Sequence, residues 1–418
     1  MSLNNKLFSY VSLFAGIGGF DSALNKLGGQ CVMASEIDKF AKQAYKAMYG
    51  TEPKGDITKI KSKNIPNHDI LTAGFPCQSF SVAGKRSGMA YVCSNCSKEQ
   101  TLSFNDYADR NFVCSECGGI IEPVDGRGLL FFEVARVARD KQPKALLLEN
   151  VKGLVGHNKG RTLDTIVKTL NDIGYTIDFE VLNTKYFNLP QNRERIFIVA
   201  FRDDLVEATG WSEESRKGNT VVPKGKRRLH EYGNVKSFDF PFPENDTVTS
   251  HLIDVLETKV DEKYYLDEEK TMGFLKEFNG DIIVREATSK GYSIAKEGDS
   301  INISHPNSKT RRGRVGKQIA NTLIASNIEQ AVVESLPMDC EIPKETSLVV
   351  GNKKQKRVRK LMPLECWRLQ GFSDQQHNAV EQVGISDSQR YKQAGNAVSV
   401  PVIVAIAERM LKLLNVQD

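Results

Sequence analysis

The first 200 residues alternate short apolar runs with amphipathic segments, and this alternation limits the possible folds more than any other feature of the chain. FSYVSLF (8–14), QCVMAS (30–35), DILTAG (69–74), KALLLEN (144–150) and RIFIVAF (195–201) are short, apolar and mostly bounded by polar residues or glycine, the pattern of buried strands. Between them, Phe40, Ala41, Ala44, Tyr45 and Met48 share one helical face within 38–49. Leu163, Ile166, Val167, Leu170 and Ile173 do the same within 162–173, with Gly174 as the stop. A β-α-β-α order predicts an α/β fold with a mostly parallel sheet, helices on both faces and ligands beyond the carboxyl ends of the strands.

From 202 to 357 the periodicity weakens, and basic clusters appear at 224–228 (KGKRR), 309–317 (KTRRGRVGK) and 353–360 (KKQKRVRK). This stretch reads as a second domain. Periodicity returns at the end, where Val404, Ala407, Leu411 and Leu414 form one stripe and Pro401 suits a first helical turn. With 40% hydrophobic and 26% charged residues the chain has the composition of a globular protein, which excludes extended disorder. No apolar run reaches the ~18 residues of a membrane span, so the expectation is a soluble, cytoplasmic protein. The net charge of +5 is too small to define a partner by itself.

The strand at 8–14 runs into FAGIGGF (14–20), and glycines there let the backbone pass close to a ligand. Glu36 follows Gly16 by 20 residues at the end of the second strand, where a carboxylate can accept from ribose hydroxyls; Asp56 offers a second acceptor suited to an adenine amino group. Together they suggest an adenosine-containing cofactor. Taken singly, the glycines could be a packing device and each acid a solvated loop residue.

GFPCQSFS (74–81) puts Cys77 just past a strand's carboxyl end, with Pro76 fixing the backbone before it. A lone cysteine is usually a small buried hydrophobe, but Gly, Gln and Ser neighbours form poor cores, and a loop thiol is easily made a partial thiolate. Glu149, ending KALLLE, lands on the same rim; a strand-end acid turned to solvent is the plainer alternative.

The ordered set FAGIGGF, Glu36, Asp56, GFPCQSFS, ENV (149–151), QNRERIFIVA (191–200), RLQGF (368–372) and YKQAGNAVSVPV (391–402) closely resembles the DNA cytosine-5 methyltransferases of bacteria and phages. The resemblance covers roughly the first 200 and last 60 positions. It implies a Rossmann-like, S-adenosylmethionine-dependent methyltransferase fold with a smaller target-recognition domain: catalytic 1–201, recognition 202–357, and a return segment 358–418 completing the catalytic domain. It implies that Cys77 adds to C6 of a flipped cytosine, that Glu149 holds the N3 and amino edge, and that Arg195, with Arg193 beside it, contacts the base carbonyl. Phe14, Gly16, Gly18, Glu36, Ile37, Asp56, Ile57, Pro76, Leu130 and Asn396 would line the S-adenosylmethionine pocket. Gln78 and Ser81 would fill the vacated space or touch phosphates, and Thr322 and Leu323 of ANTLIAS (320–326) would lie near the base-reading elements. The basic clusters would neutralise phosphates, a solvated charged face being the bland alternative for 353–360. The implied partner is double-stranded DNA with a short specific site, methylated by a monomer that protects host or phage DNA, with or without a cognate restriction endonuclease. A tRNA-directed relative and a catalytically silent zinc-containing DNA-binding protein are the rival readings.

The chain departs from the family between GFPCQSFSVAGKRSG and GRGLLFFEVARVA. An insertion at 89–122 carries Cys93-x2-Cys96 and Cys114-x2-Cys117, a strong zinc-ribbon spacing. Disulfides are the rival, which reducing cytosol disfavours. The insertion is expected either to enlarge the grip on DNA or to order the catalytic loop. Cys31, Cys340 and Cys366 remain as ordinary thiols.

Overall fold

The computed structural model describes residues 7–76, 90–101, 104–123, 130–244, 246–266, 275–278, 281–305, 308–310, 312–325, 330–336 and 355–415. Cys77, Gln78, Ser81 and Cys340 lie outside the described residues.

Numbered along the chain, β1 (Phe8–Leu13), β2 (Gly29–Ser35) and β3 (Ile70–Gly74) precede a small separate sheet of β4 (Ala90–Cys93), β5 (Glu99–Thr101) and β6 (Ile121–Pro123). The main sheet continues with β7 (Ala145–Val151), β8 (Tyr175–Asn183) and, after the short β9 (Gln191–Asn192), β10 (Glu194–Arg202), in the order β2-β1-β3-β7-β10-β8. β1 pairs in parallel with β2 and β3, and β3 with β7, whereas β10 runs antiparallel to both β7 and β8. The sheet is mostly parallel, as expected, with β10 alone running against the other strands. β8 is the strand that apolar runs do not announce, because Asp178 and Glu180 interrupt it.

Residues on successive strand positions face opposite layers. Leu146, Leu148, Ile196 and Ile198 pack with α4 (Leu130–Lys141) and α5 (Arg161–Asp172). Leu147, Phe197 and Val199 pack with α1 (Gly19–Lys26), α2 (Lys39–Tyr49) and the helix Val400–Leu413. Asp38 caps α2 by accepting from the amides of Phe40 and Ala41, and Gly50 ends it in the left-handed region. By length and composition Asp387–Leu413 could cross a membrane, but most of its apolar window is buried inside the protein, which makes it a core element.

A separate core, with Leu266, Ile282, Val284, Ala331, Val333 and Val358, belongs to the strands between 275 and 360. It begins later than the change in periodicity at 202 suggests. Trp211, Val222 and Leu229 lie in the core on the α5 side of the main sheet, and Phe238, Phe240 and Leu252 in the core on the other. Residue 237 bridges to Ile177 of β8.

Several described cations of the basic clusters expected to meet phosphates are paired inside the protein. In α6 (Val221–Glu231), Lys226 is buried 2.7 Å from Asp178, and Arg228 binds Asp164 at 2.8 Å. Arg314 is buried and donates to the carbonyls of Asn302, Ser304 and His305. In 353–360, Arg359 is fully buried between Glu334 (2.6 Å) and Glu365 (2.7 Å), and Arg357 pairs with Glu262. For these arginines and Lys226, neither the phosphate-binding nor the solvated reading holds, because desolvating a cation demands a partner close at hand.

Candidate active site

The carboxyl ends of β1, β2, β3 and β7 open into a cleft of about 440 Å³, within the usual range for small-molecule sites. β1 turns into it through Phe14 (φ 54) and Gly16 (φ 57), both left-handed. Glu36, at the end of β2, holds that turn: its Oε2 accepts from the Gly16 amide at 2.8 Å, and its Oε1 from the amides of Ile37 (2.7 Å) and Asp38 (2.8 Å). Asp56 Oδ1 accepts from the amide and hydroxyl of Thr58, at 3.0 and 2.7 Å, which leaves Oδ2 without a partner among the described residues.

Of the residues expected in the cofactor pocket, Phe14, Gly16, Glu36, Ile37, Asp56, Ile57, Pro76, Leu130 and Asn396 all line this cleft. Gly18 does not. It caps α1 at φ 82, and a Cβ there would meet the Tyr49 ring at 2.5 Å, so its role is close packing. Gln389, Lys392 and Gln393 line the cleft unforeseen; their helical spacing with Asn396 was the available signal.

Several observations fit an adenosine-bearing ligand. Among the described residues the buried Oε1 atoms of Gln389 and Gln393 and Asp56 Oδ2 have no hydrogen-bond partner, and Ile37 is 73% exposed at the rim, where an apolar ring face would cover it.

Sheet register builds the chemical end of the cleft. Gly74 lies opposite Glu149 on β7, and Phe197 of β10 lies opposite it on the other side. This places Arg195 Nε 3.0 Å from Glu149 Oε1. Burial pushes the Glu149 carboxyl above its ordinary range, while the charges of Arg195 and Arg193 oppose that rise. Asn150 Nδ2 donates to the Phe75 carbonyl at 2.9 Å and fixes the turn that leads to Pro76, a cleft residue next in sequence to Cys77.

The two arginines divide the work. Arg195 faces Glu149. Arg193 is buried and donates to the carbonyls of Leu323 (3.0 Å), Gly395 (3.1 Å) and Ala397 (2.9 Å), tying three chain segments together. Burial and the Arg195 charge push its guanidinium down to about 9, still protonated at neutral pH. Thr322 donates to the Asn192 carbonyl at 2.6 Å, and Leu323 is buried against the same element while Ile324 beside it is 43% exposed. The sequence does not show that Leu323 faces the core.

The four cysteines at 93, 96, 114 and 117 converge, with all sulfurs within 4.8 Å of one another and free of disulfides. Cys93 and Cys117 sulfurs are 3.4 Å apart, those of Cys96 and Cys114 3.8 Å, close to the ~3.8 Å that Zn–S bonds of about 2.3 Å impose on a tetrahedron. Backbone amides two or three residues on lower the pKa of Cys93 and Cys114, while the neighbouring sulfurs push that of Cys117 up.

A sheet with a parallel core, a cleft at its carboxyl ends and a C-terminal helix packed back on α1 make a Rossmann-like methyltransferase fold. The sequence profile described as C-5 cytosine-specific DNA methylase matches residues 8–94 and 115–412, and the chain belongs to that family. The unmatched stretch between these spans falls inside the four-cysteine hairpin. The orphan methyltransferase M.SPBetaI of Bacillus phage SPbeta is 41% identical over 431 residues, covering 96% of this chain and 97% of the relative. The type II methyltransferase M.DsaV of Dactylococcopsis salina is 32% identical, covering 100% of this chain and 89% of the relative. Among solved structures, the S. pombe Dnmt2 methyltransferase matches in fold with a TM-score of 0.57 at 17% identity, covering 98% of this chain and 99% of that one.

Proposed function

We propose that the chain is a DNA (cytosine-5-)-methyltransferase that uses S-adenosylmethionine, acting on a short specific site in duplex DNA. When bound, S-adenosylmethionine supplies an electrophilic methyl group. Glu36 and Asp56 are placed to accept from ribose hydroxyls and the adenine amino group, with Ile37 and Leu130 covering the apolar faces. The target base is rotated out of the stack, at a few kcal/mol. Cys77, as thiolate, adds to C6, and the ring's electron pair moves to C5, which is otherwise a poor nucleophile. Glu149, its carboxyl pushed above the ordinary range by burial, shares a proton with N3, and Arg195 fixes the carboxyl orientation and contacts the base carbonyl. After methylation the C5 proton leaves to a base or to water, and the C6–S bond breaks to return the thiolate.

The observation that carries this reading is the Glu149–Arg195 pair on the same rim as Pro76, in a chain that the C-5 cytosine-specific DNA methylase profile matches over residues 8–94 and 115–412. The profile's description favours DNA over tRNA as substrate. We place base recognition in the later core, from about residue 260 to 358, and Gln78, Ser81 and Thr322 near the DNA. The cysteine cluster holds a structural zinc. The enzyme is a cytoplasmic monomer that serves DNA protection or a restriction pairing.

Bisulfite sequencing of DNA from cells expressing the wild type and Cys77→Ala tests the reading. New 5-methylcytosine at one short site with the wild type alone is expected; no new 5-methylcytosine with the wild type overturns it.

A further inference from the structure

We propose that the four-cysteine hairpin is a brace for the methyl-donor cleft and not a DNA-gripping element, with metal occupancy coupled to cofactor affinity through Tyr107, Arg110 and the buried Glu133–Arg136 pair. The inference rests on the zinc and S-adenosylmethionine readings above and deepens them.

Charge decides against DNA. Residues 90–123 carry two cations, Lys98 and Arg110, against five carboxylates, a net −3. A zinc bound by four thiolates adds two further negative charges. Both cations are engaged, Lys98 with Glu116 and Arg110 with Glu133. A surface that must release counterions from phosphates needs the opposite sign.

Packing points to the cleft instead. The hairpin's helix α3 (Phe104–Ala108) sets Tyr107 against Phe132 at 5.8 Å between ring centroids, and Phe131 lies 5.5 Å from Phe75, two residues before Cys77. Cys93 and Cys114 belong to the same continuous core as Phe75. The polar links run the same way. The Tyr107 hydroxyl donates to the fully buried Glu133, and Arg110 joins it at 2.9 Å while also donating to the Thr58 carbonyl at 3.0 Å. Glu133 binds Arg136 at 2.7 Å, and Arg136 donates to the carbonyls of Ile57 (3.2 Å) and Ile60 (3.1 Å). Thr58 in turn holds Asp56. The hairpin thus meets both walls of the cleft, the Asp56–Ile57 turn and the helix that begins at Leu130. A metal that fixes the two cysteine turns lowers the freedom of Tyr107 and Arg110, and so that of the cofactor loop.

The test uses the full-length chain and three measurements: zinc content by atomic absorption, S-adenosylhomocysteine affinity by calorimetry without DNA, and affinity for a duplex carrying the mapped site at saturating S-adenosylhomocysteine. The double variant Tyr107→Phe/Arg110→Ala is expected to keep its metal and its cooperative unfolding, to bind S-adenosylhomocysteine about tenfold more weakly, and to hold DNA as the wild type does. Chelator-stripped wild type is expected to show the same cofactor loss, and Arg110→Lys to recover part of it. Unchanged cofactor affinity in the double variant, or a fall confined to duplex affinity, overturns the brace. A purified chain without metal overturns the zinc reading and the metal coupling, while the double variant still tests the brace. A chain that binds no S-adenosylhomocysteine overturns the methyl-donor reading.

Discussion

Arg195 Nε lies 3.0 Å from Glu149 Oε1 across the antiparallel β10–β7 pair, inside a cleft that buries the carboxyl enough to raise its pKa. A carboxyl so placed can share a proton with a ring nitrogen near neutral pH, and its amide counterpart cannot donate and accept in the same way. Glu149→Gln is expected to lower kcat by about 10²–10⁴-fold while S-adenosylhomocysteine affinity stays within about twofold. Incorporation of labelled methyl groups, read beside calorimetry, checks both halves; equal loss in both would point to a collapsed cleft.

Gly395 sits directly against the Ile324–Ala325 backbone. A Cβ added there would meet the Ile324 carbonyl carbon at 2.5 Å and its oxygen at 2.6 Å, and Arg193 bonds both Gly395 and Leu323. Backbone cannot yield as a flexible side chain can. Gly395→Ala is expected to destabilise by about 1–3 kcal/mol and to cut turnover at least about tenfold through misplacement of the elements Arg193 ties. Thermal unfolding with steady-state kinetics on unmethylated DNA carrying the mapped site reads this, and a wild-type rate would contradict it.

Asp178 and Lys226, each nearly inaccessible to solvent, join β8 to α6 at 2.7 Å, with Trp211 Nε1 donating to Asp178 at 2.6 Å. Removing the carboxylate strands a buried ammonium. Asp178→Ala is expected to cost about 3–5 kcal/mol, with much of it recovered by adding Lys226→Met. Urea unfolding of the single and double variants measures it; a loss under ~1 kcal/mol would mean that residues 202–256 are not part of the catalytic core.

Asp21 is fully buried and its carboxyl is bonded by Ser12 (3.0 Å) and Tyr45 (2.7 Å), neither of which bears a charge. Burial pushes its pKa above the ordinary aspartate value of 3.8. The folded state then binds the proton more tightly than the unfolded state, so this group penalises stability increasingly as pH rises above 3.8, until the folded pKa is passed. Asp21→Asn removes the penalty. Its unfolding free energy relative to wild type should therefore rise from pH 4 towards neutrality, by at most about 1.4 kcal/mol per pH unit. A flat difference across that range would show that Asp21 is ionised in the fold.

The helices within 38–49 and 162–173, the C-terminal helix, the five apolar strands, the glycine turn, the strand-end positions of Glu36 and Glu149, Asp56 and the paired cysteines were legible in the chain itself. Their signals are local: strand-end positions, helical periodicity and fixed spacings determine them within a few residues. Tertiary structure alone decided the rest. It turned Gly18 from the cleft to the Tyr49 ring, separated Arg193 as a fastener from Arg195 as the Glu149 partner, and drew side chains from Trp211 to Leu252 into the cores that flank the main sheet. It also spent Lys226, Arg314 and Arg359 on internal partners distant in sequence or hidden by the fold. A run of cations has the same composition whether it faces phosphate, water or a buried carboxylate; the choice is made by which desolvated groups packing brings within a few ångströms, and no spacing along the chain records it.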